Sequence, residues 1–357
     1  MRFLHMADNH LGRSYDLGQK DKRDQSRQDR FDNFKAILDL AKKSQLDALI
    51  LAGDIIEGDF FLSQDMYWFL DQLEGLAPLP CYYVLGNHDF LWGQYVTSSL
   101  TWPRNVHVFS SHQLGHFDDE KNQVRFMGQS WSHGSGAQTL DLGEGDFRPG
   151  YQHILIHHGH FGGRDYFPIS PQAPWLDWLD YVALGHIHKY EKYRGHIVNP
   201  GTPEPLMADD LGEKYVLLGD LGPHQLTLKP LSLQKRELKR IDFTLEEDKT
   251  FSQALGELKK ALDPAKDIYQ VRLGGYRKEE DFLEALKAQL RDQVFGAFFS
   301  HDFEESTYGE VLYRDQEEEL LGRLIQEVNR QDLEKEDRQR VLDLAMEALL
   351  KSGEGHD

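Results

Sequence analysis

The sequence is short of cysteine, of positive charge and of long apolar runs. A single cysteine, Cys81, leaves no internal disulfide to form and fits a reducing compartment. As a lone thiol it reads as a small buried apolar residue. No stretch approaches the roughly 20 apolar residues that span a bilayer. The amino terminus, "MRFLHMAD", runs straight into strand-like sequence without the apolar core of a signal peptide. The expectation is a cytoplasmic protein with no membrane association. Lysine plus arginine total 40 against 60 aspartates and glutamates, a formal charge of −20 shared evenly between residues 1–230 and 231–357. Neither half is basic, so net charge encodes no general attraction to nucleic acid. A nucleic-acid enzyme with this balance needs metal ions, a local basic patch or a basic partner.

What is present suffices for a sizeable core: 39% of residues are hydrophobic and 11% aromatic. A length of 357 residues suggests about two domains. Over the first 90 residues "RFLHMAD", "DALILAGD" and "CYYVLGNHD" read as strands. Between them lie two amphipathic helices, one carrying Phe31, Phe34, Leu38 and Ala41 at helical spacing, the other around "QDMYWFLDQLEGL". Strand–helix alternation implies a parallel sheet with right-handed crossovers. After residue 104 short strands follow, enough for a second sheet, with long loops at 134–151 and 159–175. A second unit begins near residue 240, where "DIYQVRLGGY" reads as a strand and "EEDFLEALKAQLRDQVF" as a helix. The tail is rich in helix formers, with apolar stripes at Leu320-Leu324-Val328 and Leu344-Ala348.

Five apolar runs end on polar clusters. They are "ADNH" (Asp8, His10), "GD" (Asp54), "GNHD" (Asn87, His88, Asp89), "IHHG" (His157, His158) and "GHIH" (His186, His188). Each piece alone is ordinary: Gly-Asn is common turn chemistry, and a buried histidine is more often hydrogen-bonded in a core than metal-bound. Together they suggest a site at the carboxyl ends of sheet strands, where open α/β folds place ligands. The pairs Asp8/His10 and His186/His188 sit at i and i+2, so in extended backbone both members point the same way. Carboxylate, imidazole and amide together suit manganese, iron or zinc rather than calcium. Two ions about 3.5–4 Å apart clamp the attacking and leaving oxygens of a phosphate ester. A carboxylate from a central strand must bridge them, and Asp54 is the natural candidate.

In this order the blocks resemble the calcineurin-like metallophosphoesterases, whose pattern is D-x-H, GD, GNH[DE], a strand-end His and GHxH. "FLHMADNHLG" and "NPGTPEP" (Asn199 to Pro205) resemble more specifically the SbcD-type nuclease branch with its YhaO-like relatives, the nuclease half of a DNA double-strand-break repair complex. The resemblance implies a four-layer αββα sandwich over 1–235, a small α+β capping domain over 236–312, and a helical, partner-binding tail over 313–357. It implies two divalent ions, expected to be Mn2+. One would be held by Asp8, His10, Asp54 and His188, the other by Asp54, Asn87, His157 and His186. His88 would lie outside the ligand set as the catalytic side chain, and Asp89 would support His88 or its loop. The doublet offers either His157 or His158, since strand alternation forbids both from facing one metal. The expectation is His157, which directly ends "ILI".

Glu57 departs from the branch, whose archaeal and eukaryotic members carry histidine there. It reads either as a carboxylate altering substrate handling or as a solvated helix-start residue. The run "KDKRDQSRQDR" (Lys20 to Arg30) reads either as a track for a DNA backbone or as a solvated helix entrance. The implied partners are DNA, a coiled-coil ABC-type ATPase similar to SbcC, and a second copy of the chain. Two other functions compete: a small-molecule phosphodiesterase or phosphatase on the same fold, and a non-enzymatic scaffold.

Overall fold

A computed structural model of the chain describes residues 1–303, apart from 16–19, 110, 112, 133–138, 224, 263–266, 277 and 292, together with 328 and 341. The alternation read from the first hundred residues builds a sheet. In order come β1 (Arg2–Met6), α1 (Lys20–Lys43), β2 (Ala48–Ala52), α2 (Ser63–Glu74), β3 (Cys81–Val84), α3 (Phe90–Ser99) and β4 (Val106–Val108). The four strands pair in parallel, in sequence order. The expected stripe of Phe31, Phe34, Leu38 and Ala41 is the buried face of α1.

The chain then forms β5 (Gly115–Asp119), β6 (Val124–Gly128), β7 (Gln152–His158), β8 (Tyr181–Gly185), β9 (Glu191–Arg194) and β10 (Ile197–Asn199). These make a second sheet in the order β5-β6-β7-β8-β10-β9. It returns to the first sheet with β11 (Val216–Leu221) and β12 (Leu226–Leu231), giving the order β12-β11-β1-β2-β3-β4.

The central strands are buried on both faces, and strand alternation splits their side chains between two cores. Ala48, Ile50 and Ala52 of β2, Ile154 and Ile156 of β7, and Tyr181 and Ala183 of β8 meet in one apolar cluster between the sheets. Phe3 touches Tyr181 there, with ring centroids 5.0 Å apart. Leu49, Leu51 and Tyr83 belong instead to the cluster that takes in Phe34 and Phe69 of the helices. On the outer face of the second sheet Phe167, Ile169, Trp175 and Leu176 are buried. The fold is therefore the expected α/β sandwich. Its fourth layer, among the described residues, is an anchored loop with a 3-10 turn at Pro174–Trp178 rather than an α-helix.

The chain divides into two compact units. The first is Met1–Arg240 with Asp263–Gln270 and Gln293–Phe298, and the second takes the rest, so no single cut in the chain separates them. Beyond the sandwich lie β13 (Leu238–Leu245), α4 (Phe251–Ala261), β14 (Ile268–Gly275), α5 (Glu280–Arg291) and β15 (Gly296–Phe303), whose strands form a three-stranded sheet in the order β13-β14-β15. Within the second unit Phe251 of α4 and Phe282 of α5 meet edge to face at 5.5 Å. The tail expected over 313–357 lies outside the described residues except for 328 and 341. Among the described residues no helix is long and apolar enough to cross a membrane.

Candidate active site

The polar clusters converge at one end of the sandwich, drawn from both sheets. Asp8, His10 and His188 can bring one ligand atom each within 4.8 Å of one another, and so can Asp54, His158 and His186. Asp54 stands between the two groups. Its Oδ2 is 3.9 Å from His10 Nε2 and 3.1 Å from His158 Nε2. Its Oδ1 accepts the backbone N–H of His88 at 2.9 Å. Asn87 joins the second group, with Oδ1 3.2 Å from His158 Nε2. Asp8 is held by the backbone N–H of His186, 3.0 Å from each carboxylate oxygen.

The pairs at i and i+2 do not converge through extended backbone, as alternation alone would have it. β1 ends at Met6 and β8 at Gly185, before either pair begins. Asp8, His10, Asp54 and His186 all take positive φ, at 54°, 46°, 50° and 90°. Left-handed backbone in non-glycine residues costs of order 1–3 kcal/mol each, and such strain collects at functional sites. Glycine solves the closest approaches. A side chain at Gly86 would lie 2.2 Å from Asp54 Oδ1, and one at Gly53, itself at φ +86°, 2.3 Å from His158 Nδ1.

The expected ligand His157 is not in this cluster. β7 runs two residues past "ILI", through His158, so alternation turns His158 inward with Ile154 and Ile156. His157 turns outward and donates from Nε2 to the Phe167 carbonyl at 2.8 Å. His158 donates from Nδ1 to the Ala52 carbonyl at 2.8 Å, which aims Nε2 at Asp54 and Asn87. His158 therefore replaces His157 in the set. Metal analysis checks this: His158→Ala is expected to lose an ion that His157→Ala keeps.

Residues 1–221 match the calcineurin-like phosphoesterase model. The chain belongs to the calcineurin-like phosphoesterase family. It is 25% identical to the uncharacterized metallophosphoesterase YhaO of Bacillus subtilis (strain 168), over 93% of this chain and 88% of that protein. Among solved structures it is similar to a dimetal phosphatase from Danio rerio, at 11% identity and a TM-score of 0.41, over 65% of this chain and 96% of the other. It is also similar to a protein of Thermus thermophilus, TT1561, at 16% identity and a TM-score of 0.39, over 64% and 98%.

Phosphoesterases of this family use divalent metals, and the donor set here suits them. His10 Nε2 is buried without a hydrogen-bond partner, as a nitrogen kept for a cation would be. Electrostatics give the same reading. Burial pushes the Asp8 carboxyl up to about 8, against the pull of His158. Burial also favours a neutral Asp54, but the charge and hydrogen bond of His158, with His10, hold it well below the usual carboxylate range. His158 rises to about 9 because Asp54 and Asp8 outweigh its burial. Burial drives His186 down to about 3 and His188 to about 4, so both are ready as neutral donors. Without metal, the proton on His158 is the counter-cation of Asp54. Metal uptake must expel it, so apparent affinity should rise between about pH 7 and about pH 9, with proton release. Titration calorimetry in buffers of different ionisation enthalpy measures both.

Of the two readings of Glu57, the solvated helix-start residue is overturned. Glu57 is neither solvated nor at a helix start but 3% exposed, in the turn after β2. Its Oε1 is 2.7 Å from His88 Nδ1, and its Oε2 is 2.9 Å from His10 Nδ1 and 3.3 Å from Arg13 Nη1. The hydrogen bond to His88 raises that histidine's pKa although burial opposes it. Asp89 accepts the N–H groups of Ile55 and Gly86 and the Tyr83 hydroxyl, pinning the loop, the second of the two roles expected for it. The basic run opens α1, and two of its arginines are engaged within the protein. Arg27 pairs with Asp65, and the buried Arg30 donates to the Pro205 carbonyl.

Proposed function

We propose that this phosphoesterase is a manganese-dependent nuclease subunit that hydrolyses DNA phosphodiesters. One observation carries the hydrolytic part: beside the Asp8/His10/His188 and Asp54/Asn87/His158/His186 groups, His10, Glu57 and His88 also bring donor atoms within 4.8 Å of one another, and the hydrogen bond from His88 Nδ1 to Glu57 supports reading His88 as an acid rather than a ligand. Two cations held by those groups would polarise the phosphate and lower the pKa of an attacking water. Glu57 fixes the ring of His88 by accepting from Nδ1, and a protonated His88 then carries an acidic N–H at Nε2. As water adds to phosphorus and the bond to the leaving oxygen breaks, that Nε2 proton passes to the oxygen. The imidazole is left neutral, to be recharged from solvent. The half-exposed His88 can reach substrate from this position.

The choice of DNA rests on the resemblance of "FLHMADNHLG" and "NPGTPEP" to the SbcD-type branch. The same reading supplies the partners, a coiled-coil ABC-type ATPase meeting the tail and a second copy of the chain. The deciding assay sets a DNA hairpin against bis-p-nitrophenyl phosphate, each with added manganese. Cleavage of the hairpin is expected. Hydrolysis of the ester with intact DNA would instead identify a small-molecule phosphodiesterase, the reading that the charge of −20 favours.

A further inference from the structure

A cavity of about 390 Å³ is lined chiefly by Arg13, Tyr15, Phe60, Leu206, Met207 and Phe298. Its lining is tied to the catalytic groups. The Phe60 N–H donates to the Glu57 carbonyl at 3.0 Å, and Arg13 meets the Glu57 carboxylate at 3.3 Å. The Met207 N–H donates at 2.9 Å to Asp210 Oδ2, which lies 4.0 Å from His188 Nδ1. The chain carries 60 acidic residues, yet no carboxylate is among the described residues lining this cavity, and its one charged group is cationic. An apolar, aromatic space edged by a guanidinium suits a flat group attached to an anion.

We propose that this cavity is a subsite for the unpaired nucleobase of the nucleotide whose phosphate is cleaved. The proposal rests on the phosphodiesterase reading above. Phe60 is 58% exposed and Met207 47%, so faces of both are open to a ligand. A base inside a duplex has its own faces covered by its neighbours and cannot enter, so the subsite selects frayed ends and single strands. Arg13 bridges the two chemistries, bordering the cavity and touching the carboxylate that orients His88.

The test is binding of thymidine monophosphate against methyl phosphate to the manganese-loaded full chain, in wild type and Phe60→Ala. The exposure of Phe60 means that its loss leaves the fold intact, which circular dichroism verifies. Wild type is expected to prefer the nucleotide by about tenfold or more, the scale of a single stacking contact. Phe60→Ala should abolish that preference without weakening methyl phosphate, and Phe60→Trp should keep it. Equal affinity for the two ligands in wild type, or equal losses in Phe60→Ala, overturns the subsite. Hydrolysis of bis-p-nitrophenyl phosphate, followed separately, reports on the phosphodiesterase reading, so the two can fail independently.

Discussion

Asp54→Ala is expected to strip both metal ions from the protein and to reduce hydrolysis to the level seen without metal. Its carboxylate stands, among the described residues, between His10 on one side and His158 on the other. A single anion that screens two cations has no substitute, because Asp8 is bound up with the His186 N–H and Asn87 carries no charge. His10→Ala should behave differently, weakening one ion while the other stays partly bound. Asp54→Asn keeps the shape of the side chain and separates lost charge from lost packing. Elemental analysis of the purified variants decides the matter, and equal metal loss in His10→Ala and Asp54→Ala would end the bridging assignment.

His88→Ala is expected to keep two ions and lose activity on the order of 10²-fold or more, the usual contribution of a positioned general acid. Glu57→Gln should fall between the wild type and this variant in rate. Glu57 also holds His10 Nδ1, so the same variant should weaken metal binding by about 10–100-fold, as partners of ligating histidines commonly do. That double effect distinguishes Glu57 from His88. Loss of metal in His88→Ala would instead make His88 a ligand and remove the acid from the mechanism.

The sandwich was legible because its signals are local. Phe31, Phe34, Leu38 and Ala41 announce a helix face wherever the helix packs, and three apolar runs ending in Asp8, Asp54 and Asn87 announce parallel strands feeding one edge. The histidine doublet was not legible. "HILIHH" is buried on both faces, so it shows none of the polar alternation that tells one face of a strand from the other. Only the position of β7 between β6 and β8 assigns Ile154 and Ile156 to the core between the sheets, and His158 with them. The buried position of Glu57 was hidden for a related reason. Its partners lie 31, 44 and 47 residues away, beyond any local pattern. The left-handed backbone at Asp8, His10 and His186 is likewise imposed by the convergence of distant strands, since none of these residue types demands it.

The two sheets supply the site jointly: Asp8, Asp54 and Asn87 follow strands of one, while His158 ends β7 of the other and His186 and His188 follow its neighbour β8. An ion held by Asp54, His158 and His186 would draw its ligands from both sheets, and so would bind only when both halves are in place. By mass action, a ligand of the native state alone adds about 2.7 kcal/mol of stability at a hundred times its dissociation constant. The melting temperature of this protein should therefore fall in chelator and climb with metal supply, making its heat tolerance a gauge of the ions around it.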